Sequence, residues 1–169
     1  MNPENLKRDT VETKKTSEAA EMAVRIQEGS GAHGKKVLVL DTVHPNWRHV
    51  TQTYLSGKEI EMEVVGKDEA ARLLGDAAAL IVQSPNYLGS IEELGLLGEM
   101  THDNGALFIV AADPVSLGLF KPPGEYGADI AVGEGQSLGH PMSLGGVNLG
   151  IFTAQQKYLR QMLLQKYYH

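Results

Sequence analysis

The sequence contains no cysteine. This absence excludes disulfide scaffolding, thiolate catalysis and cysteine-ligated zinc or iron–sulfur sites. Positive charge is also in short supply, because 15 Lys and Arg face 21 Asp and Glu and give a formal net charge of −6. That sign opposes electrostatic binding to nucleic acid or to an anionic membrane. We therefore expect neither partner.

Long apolar runs are missing as well. No stretch approaches the roughly 18 apolar residues that a membrane-spanning helix needs. The polar N-terminus, MNPENLKRDTVETKK, has neither the apolar core of a signal peptide nor the pattern of a transit peptide. We expect a cytoplasmic protein. A length of 169 residues with 42% hydrophobic residues is typical of one globular domain that needs no disulfides.

Short apolar runs alternate with helical patterns along most of the chain. The run KVLVLD, residues 36–41, is typical of a parallel strand buried on both faces. Further strands are predicted at Glu61–Val65, Ala78–Gln83 and Ala106–Ala112, with helices at Ser17–Gln27, Pro45–Leu55, Asp68–Leu74 and Ser90–Asp103. This alternation predicts right-handed crossovers and an α/β fold, with a mostly parallel sheet covered by helices on both faces. We assign this domain to residues 16–169 and predict a mobile arm over residues 1–15.

A glycine-rich layer, defined here as Asp113–Gly150, follows the last of these strands. It holds nine of the nineteen glycines and four of the seven prolines. Because it also contains strand-like pieces at Asp129–Val132 and Val147–Phe152, we interpret it as a functional loop layer and not as a linker. The final segment, Ala154–Tyr167, has a helical pattern.

Two glycine motifs in the chain invite a phosphate-binding interpretation. Gly29-x-Gly31-x-x-Gly34 spells a dinucleotide fingerprint, but it precedes a strand where the fingerprint must follow one, so a helix end and flexible loop is favoured. The run GEGQSLG, Gly133–Gly139, does follow a strand and could wrap a phosphate or a partner. It lacks the lysine and the helix of a P-loop.

Histidines and paired carboxylates give weaker signals. None of the six histidines forms a His-x-x-x-His pair, so we predict no metal site. Glu92 and Glu93 lie at the start of a predicted helix, where acidic side chains complement the helix dipole. We interpret both as residues of a solvated first turn.

Three strand-end positions are more informative. His44 follows KVLVLD, Pro85-Asn86-Tyr87 follows LIVQS, and Asp113 follows ALFIVAA. Because the carboxyl ends of parallel strands converge on one crevice, we expect these positions to face one another. Any one of them taken alone is explained as a helix cap or turn residue.

A family resemblance is carried by the stretch from Ser84 to about Arg160. Its most distinctive motifs are KPPGEYGADI, VGEGQ-x-LG and GG-x-x-LG-x-F. These motifs resemble the glycine dehydrogenase (decarboxylating) family, the P-protein of the glycine cleavage system, and specifically its subunit 1. KVLVLDTVHPNWRHVTQTYLSG is similar to a strand-and-helix unit of the same family, so the resemblance covers about residues 16–162.

The resemblance implies the large domain of a fold type I enzyme dependent on pyridoxal phosphate (PLP). It implies a part in glycine decarboxylation, with transfer of the aminomethyl group to the lipoyl arm of H-protein. In such enzymes a ring-stacking His, an Asp paired with the pyridine nitrogen and an imine-forming Lys follow one another along the chain. His44 and Asp113 stand at the first two positions, as vestigial candidates for cofactor binding.

The imine-forming lysine has no counterpart in this chain. In the family it follows the strand that comes after the Asp, which here is Asp129–Val132, and no lysine lies between Lys121 and Lys157. The resemblance implies the same, because subunit 1 is the half without that lysine. We therefore expect no catalytic residue in this chain alone, and PLP carried by the partner, subunit 2.

The resemblance also predicts where the partner binds. The interface loop, defined here as Gly133–Gly146, stands where the catalytic half has its lysine loop. We predict partner contacts by residues whose small size or backbone N–H groups favour close approach, namely Gly133, Glu134, Gly135, Gln136, Gly139, Gly145 and Gly146.

Departures from the family leave alternatives open. Subunit 1 is more than twice as long, and residues 12–19 replace its Tyr-Asp-Gly-x-Thr-Ala motif. We therefore expect a truncated or decayed subunit. The alternatives are a non-catalytic pseudoenzyme or interaction module with the same fold, and a flavodoxin-like domain, which predicts a co-purifying nucleotide.

Overall fold

A computed structural model describes residues 11–30, 35–141 and 149–160 of the chain. Its strands are β1 (Lys36–Leu40), β2 (Glu61–Val65), β3 (Ala79–Ser84), β4 (Leu107–Ala112), β5 (Ile130–Glu134) and β6 (Gly150–Ala154). Its α-helices are α1 (Val11–Ser30), α2 (Pro45–Ser56), α3 (Lys67–Leu73) and α4 (Leu94–Asp103). These strands form one six-stranded sheet in the order β2-β1-β3-β4-β5-β6.

The sheet is parallel from β2 to β5, and β6 runs antiparallel to β5. The longest pairing joins β3 to β4, from Ala79 opposite Leu107 to Ser84 opposite Ala112. Every residue of β4 is buried. A strand covered on both faces has no solvent side for polar residues, which explains why its sequence is the continuous apolar run LFIVAA.

The connections place helices on both faces of the sheet. The crossover from β1 leads to β2 on one side, whereas the crossover from β3 leads to β4 on the other. Because such crossovers are right-handed, α2 covers one face and α3 and α4 cover the opposite face. Helix α1 packs on α2 and along the sheet. The direction reverses between β1 and β3, so a crevice opens beyond the carboxyl ends of these two strands.

Helix α1 is longer than predicted. It begins at Val11, so the predicted mobile arm overlaps the helix over residues 11–15, and residues 1–10 lie outside the described part of the chain. Thr16 and Ser17 are buried although they are polar, and the Ser17 hydroxyl lies 3.4 Å from that of Thr51 in α2. Polar residues that face a neighbouring helix do not show in an apolar periodicity, which is why the prediction began the helix too late.

Two other boundaries also differ from the prediction. Helix α4 begins at Leu94, four residues after the predicted start, because residues 85–90 form a turn held by the Asn86 side chain. At the other end, Ala154 closes β6 and is not helical; a short 3-10 turn, Gln156–Tyr158, follows. Residues 161–167 of the predicted terminal helix lie outside the described residues.

Candidate functional site

A cleft of about 580 Å³ opens at the carboxyl ends of β3, β4 and β5. It is lined by Trp47, Gln83, Pro85, Asp113, Glu134, Gln136, Ser137, Gly139 and His140. Gln83 and Glu134 lie at the ends of β3 and β5, Asp113 follows β4, and Trp47 lies in the first turn of α2. The cleft therefore lies at the carboxyl edge of the sheet, where ligands of open α/β sheets bind. Of the predicted strand-end positions, Pro85 and Asp113 line the cleft, whereas His44, Asn86 and Tyr87 do not.

His44 contacts the cleft through its neighbours. Its imidazole stacks on Trp47, with ring centroids 5.7 Å apart, and forms an edge-to-face pair with Tyr87, with centroids 4.6 Å apart. Its backbone N–H donates to Gln83 Oε1 at 2.8 Å, which joins the loop after β1 to the end of β3. His44 also caps α2, because Nδ1 accepts from the backbone N–H of Asn46 at 3.1 Å.

The imidazole of His44 is biased toward its neutral form. Burial lowers the pKa of His44, and the positive charge of Arg48 lowers it further. A neutral ring leaves Nδ1 free to accept the capping hydrogen bond from Asn46. The ring therefore combines a structural task with a position beside the cleft.

Asp113 lies directly in the cleft wall. Its side chain is exposed, and Oδ1 accepts from the backbone N–H of Val115 at 3.0 Å. The residue thereby caps the short 3-10 helix Pro114–Gly118. Asp113 is therefore both a turn residue and a cleft residue, because one carboxylate oxygen caps the turn while the side chain borders the cleft.

Part of the interface loop is strand and not loop. Gly133 and Glu134 belong to β5, where they pair with Ile151 and Gly150 of β6. A Cβ on Gly133 would lie 2.6 Å from the carbonyl oxygen of Ala112, so close approach within this chain already requires a glycine there. The prediction ended this strand at Val132, whereas the strand continues to Glu134. A glycine inside an apolar run looks like a loop signal, which explains the early end.

The rest of the interface loop is only partly described. Gly135 donates its backbone N–H to the Leu149 carbonyl at 2.7 Å, and Gln136 begins a short 3-10 helix that ends at Leu138. Gly139 follows with φ of +118°, a left-handed conformation that favours glycine. Gly145 and Gly146 lie outside the described residues.

Glu134 gives this end of the cleft a negative charge. Its Oε1 accepts from the backbone N–H groups of Gln136, at 3.0 Å, and Leu149, at 2.7 Å. Its Oε2 is buried without a hydrogen-bond partner among the described residues. Together with Asp113 it makes two carboxylates in the cleft wall, and no Lys or Arg occurs among the described lining residues.

Glu92 is a residue that the sequence analysis misjudged. The side chain is 2% exposed and forms an ion pair with Lys67 at 2.7 Å. Its Oε1 accepts from Thr42 Oγ1 at 2.8 Å and from Asn86 Nδ2 at 2.7 Å. The prediction of a solvated first turn was wrong for Glu92 because its partners lie far away in the sequence; Glu93 is exposed, as predicted.

Burial and hydrogen bonding act on Glu92 in opposite directions. Burial by itself raises the pKa of this carboxyl, but the hydrogen bonds from Lys67, Asn86 and Thr42 outweigh it and hold the pKa below its ordinary value. The same ion pair raises the pKa of Lys67. Glu92 is therefore held as a carboxylate at neutral pH.

Metal sites, membrane-spanning helices and the fingerprint-like glycine motif can be described only within the described part of the chain. Residues 11–30, 35–141 and 149–160 contain no group of three His, Asp or Glu placed to hold a metal ion. Among the helices described there, none combines the length and apolarity that crossing a bilayer requires. Gly31 and Gly34 of the fingerprint-like motif lie outside those ranges.

Known proteins resemble the chain over most of its length. The model of the family described as glycine cleavage system P-protein matches residues 11–163. A protein of Desulforamulus reducens named "Probable glycine dehydrogenase (decarboxylating) subunit 1" is 48% identical over 135 residues. That match covers 75% of this chain and 30% of the relative, so the chain spans about a third of its relative's length.

Solved structures agree on the fold. A glycine decarboxylase (P-protein) of the glycine cleavage system, crystallised in inhibitor-bound form, superposes with a TM-score of 0.79 at 38% identity, covering 88% of this chain and 34% of that one. A cysteine desulfurase from Thermococcus onnurineus NA1 has a TM-score of 0.66 at 18% identity, covering 90% and 38%. The predicted fold, the large domain of fold type I PLP-dependent enzymes, is thus confirmed. With a family model that matches nearly the whole described chain and a cleft at the expected strand ends, this chain belongs to the glycine cleavage system P-protein family.

Proposed function

We propose that the chain is the lysine-free half, or part of that half, of a glycine decarboxylase assembly. The assembly decarboxylates glycine and passes the aminomethyl group to the lipoyl arm of H-protein. The chain contributes a structural half-site, and subunit 2 carries PLP. The observation that carries the proposal is the lysine-free interval from residue 122 to 156, which includes every position after β5 where an imine-forming amine would stand.

The described cleft does not fit PLP as a resident cofactor. The cofactor needs an amine for its aldehyde and cations or N–H donors for its phosphate. The described lining residues include no Lys or Arg that could supply the amine or a cation for the phosphate, and they include two carboxylates, Asp113 and Glu134. The Oε2 atom of Glu134 is buried without a hydrogen-bond partner among the described residues. Asp113 uses one carboxylate oxygen to cap its own turn. This chain therefore does not hold PLP as its own cofactor in the proposed assembly.

The lysines that flank the interval are not among the residues that line the cleft. Lys121 precedes β5 and is 69% exposed, 4.0 Å from Glu125. Lys157 follows β6; its ammonium lies 3.3 Å from Asp129 and 4.6 Å from the ring centroid of Tyr158. Asp129 precedes β5, at the end of the strand opposite to the cleft. Neither amine is placed to reach a ligand in the cleft.

Exposed apolar side chains support a missing partner. Leu88 is 74% exposed, Leu96 63% and Leu119 90%, and they lie after β3, on α4 and after β4. Patches of large apolar side chains are unusual on monomers and typical of interaction surfaces. Leu138, in the interface loop, is also 58% exposed.

A non-catalytic interaction module is the second candidate. In its favour, Gly133 and Gly135 of the interface loop are explained by contacts within the chain. Their presence therefore does not require an active assembly. A protein that kept these contacts while losing the active assembly would have the same fold. Only activity with a partner separates the two candidates.

Co-expression with a matched subunit 2 tests the proposal. The readout is exchange of labelled bicarbonate into glycine, with lipoyl H-protein present. We expect no exchange from this chain alone and exchange above that of subunit 2 alone from the complex. A stable complex without added exchange favours the interaction module. Failure to associate with any matched subunit 2 contradicts the proposal.

The contribution of the interface loop is tested by surface variants in the same association assay. Ser137→Arg places a bulky charged group on an exposed position beside the cleft, whereas Asp113→Asn removes a cleft charge without changing size. Gln52→Arg, on the exposed face of α2, is the matched control. We expect Ser137→Arg to weaken association at least tenfold and the other two to leave it within twofold. The reverse result for Ser137 and Asp113 contradicts the loop assignment.

A further inference from the structure

One buried carboxylate, that of Glu92, joins the loops that follow three neighbouring strands. Thr42 lies after β1, Lys67 begins the helix after β2, and Asn86 lies after β3. Glu92 itself stands just before α4 and reaches all three within 2.8 Å. No other described carboxylate makes side-chain contacts with three separate strand-end segments.

The two oxygens of Glu92 divide the work. Oε1 accepts from both Thr42 and Asn86, so a single atom ties the β1 loop to the β3 loop. Oε2 pairs with the half-exposed ammonium of Lys67. Hydrogen bonds to an ionised acceptor are stronger than neutral ones, and burial shields them from water.

The loops joined in this way carry the ring pair beside the cleft. The backbone N–H of Tyr87 donates to the carbonyl of Thr42 at 3.0 Å, and the Tyr87 and His44 rings form an edge-to-face pair. Asn86 Oδ1 accepts from the backbone N–H groups of Leu88 and Ser90, which shapes the turn that presents Tyr87. Fixing Asn86 against Thr42 therefore fixes Tyr87 against His44.

We infer that Glu92 is a positioning residue, which holds the Tyr87 and His44 rings in contact at the edge of the cleft. It acts through Thr42 and Asn86 and does not itself line the cleft. The relevance of the ring pair to a partner or ligand rests on the proposed function. The geometry of the pair does not.

The proposal is tested by nuclear magnetic resonance of the His44 imidazole in the full 169-residue chain, assigned with a His44→Gln variant. We expect Glu92→Ala to abolish the His44–Tyr87 proton contacts. We also expect it to raise the pKa of His44 toward its ordinary value of 6.5, because burial is the larger cause of the lowering and Arg48 remains in place. Glu92→Gln keeps an acceptor at Oε1 and should retain the ring contacts. The control Glu93→Ala changes an exposed neighbour and should leave both signals unchanged.

Thr42→Val guards against a Glu92→Ala variant that does not fold. The substitution is nearly isosteric and removes only the hydrogen bond from Thr42 to Glu92. It should therefore weaken the His44–Tyr87 contacts while the circular dichroism spectrum stays unchanged. Lys67→Met removes only the ion pair with Glu92 and should leave the His44–Tyr87 contacts intact. Unchanged His44 signals in folded Glu92→Ala, or in Thr42→Val if Glu92→Ala is unfolded, overturn the proposal. Association with subunit 2 is a separate readout, so its failure counts against the proposed function alone.

Discussion

Two buried carboxylates at opposite ends of the sheet perform different tasks. Asp129, at the amino end of β5, is 1% exposed and accepts from the Phe108 backbone N–H at 3.0 Å while its Oδ2 lies 2.8 Å from His102 Nε2. Glu92, at the carboxyl end, binds side chains from three loops. The first joins a strand to the end of a helix, and the second joins loops to one another. We therefore expect Asp129 to act mainly on the stability of the fold and Glu92 mainly on the arrangement of the loops.

The largest effect should come from Asp129→Ala. The substitution leaves the buried Phe108 N–H without its acceptor and removes the partner of His102, which should destabilise the fold by about 3 kcal/mol. Urea denaturation measures this change. The control is Asp103→Ala on the exposed end of α4, where we expect a change within about 0.5 kcal/mol. Equal effects of the two substitutions would show that the Asp129 carboxylate does not stabilise the fold through Phe108 and His102.

Two glycines on α4 separate the effect of close packing from that of helix propensity. A Cβ on Gly98 would lie 2.6 Å from the Tyr126 carbonyl oxygen, whereas a Cβ on Gly95 meets nothing closer than 3.9 Å. We expect Gly98→Ala to destabilise by about 2 kcal/mol through overpacking. Gly95→Ala should stabilise by about 0.5 kcal/mol, because alanine favours the helix. Thermal melts of both variants check the prediction, and a stabilising Gly98→Ala would show that Tyr126 is not held against α4.

Glu92 predicts a pH dependence at the other end of the sheet. Its pKa in the folded chain is below its ordinary value, so its contribution to stability is present above about pH 4.5 and is lost as the pH falls through the folded pKa. We expect Glu92→Gln to be less stable than the unchanged chain by about 1 kcal/mol at pH 7. That difference should shrink below pH 4.5. A difference that stays constant from pH 7 to pH 3 would mean that Glu92 is not held as a carboxylate.

The smallest effect should come from an ion pair at the amino end that is not buried. Lys36 in β1 pairs with Glu63 of β2, and the hydrogen bond to Glu63 is the main cause that raises the pKa of Lys36. Glu63→Gln should change the free energy of unfolding by no more than about 0.5 kcal/mol, because exposed pairs are screened by water. A larger loss would show that position at the amino end, and not burial, decides the stability.

The sequence predicts the sheet well for a physical reason. Strands such as LFIVAA are covered on both faces, and a strand that is buried along its whole length has a continuous apolar sequence. The strand-end rule likewise predicts His44, Pro85 and Asp113 at one crevice. Pro85 and Asp113 line the cleft, and His44 stacks on Trp47, another residue of its lining. Family membership was also predictable, because motifs such as KPPGEYGADI are long and unusual.

The sequence does not predict the interactions that give the site its shape. Glu92 looks like any acidic residue at a helix start, and its burial depends on Thr42, fifty positions earlier. Gly133 looks like a loop residue until the Ala112 carbonyl is seen beside it. Such pairings depend on loop paths that local pattern does not encode. The functional assignment of His44, Asp113 and the interface loop remains a prediction.

The central claim is that this chain lacks the amine that holds PLP while its partner supplies it. Borohydride reduction of the co-expressed complex, followed by peptide mass spectrometry of both chains, tests it directly. We expect a pyridoxyl group on one lysine of subunit 2 and none at any single site on this chain, since residues 122–156 contain no lysine. A pyridoxyl group found stoichiometrically on Lys121, Lys157 or another defined lysine of this chain would contradict the account.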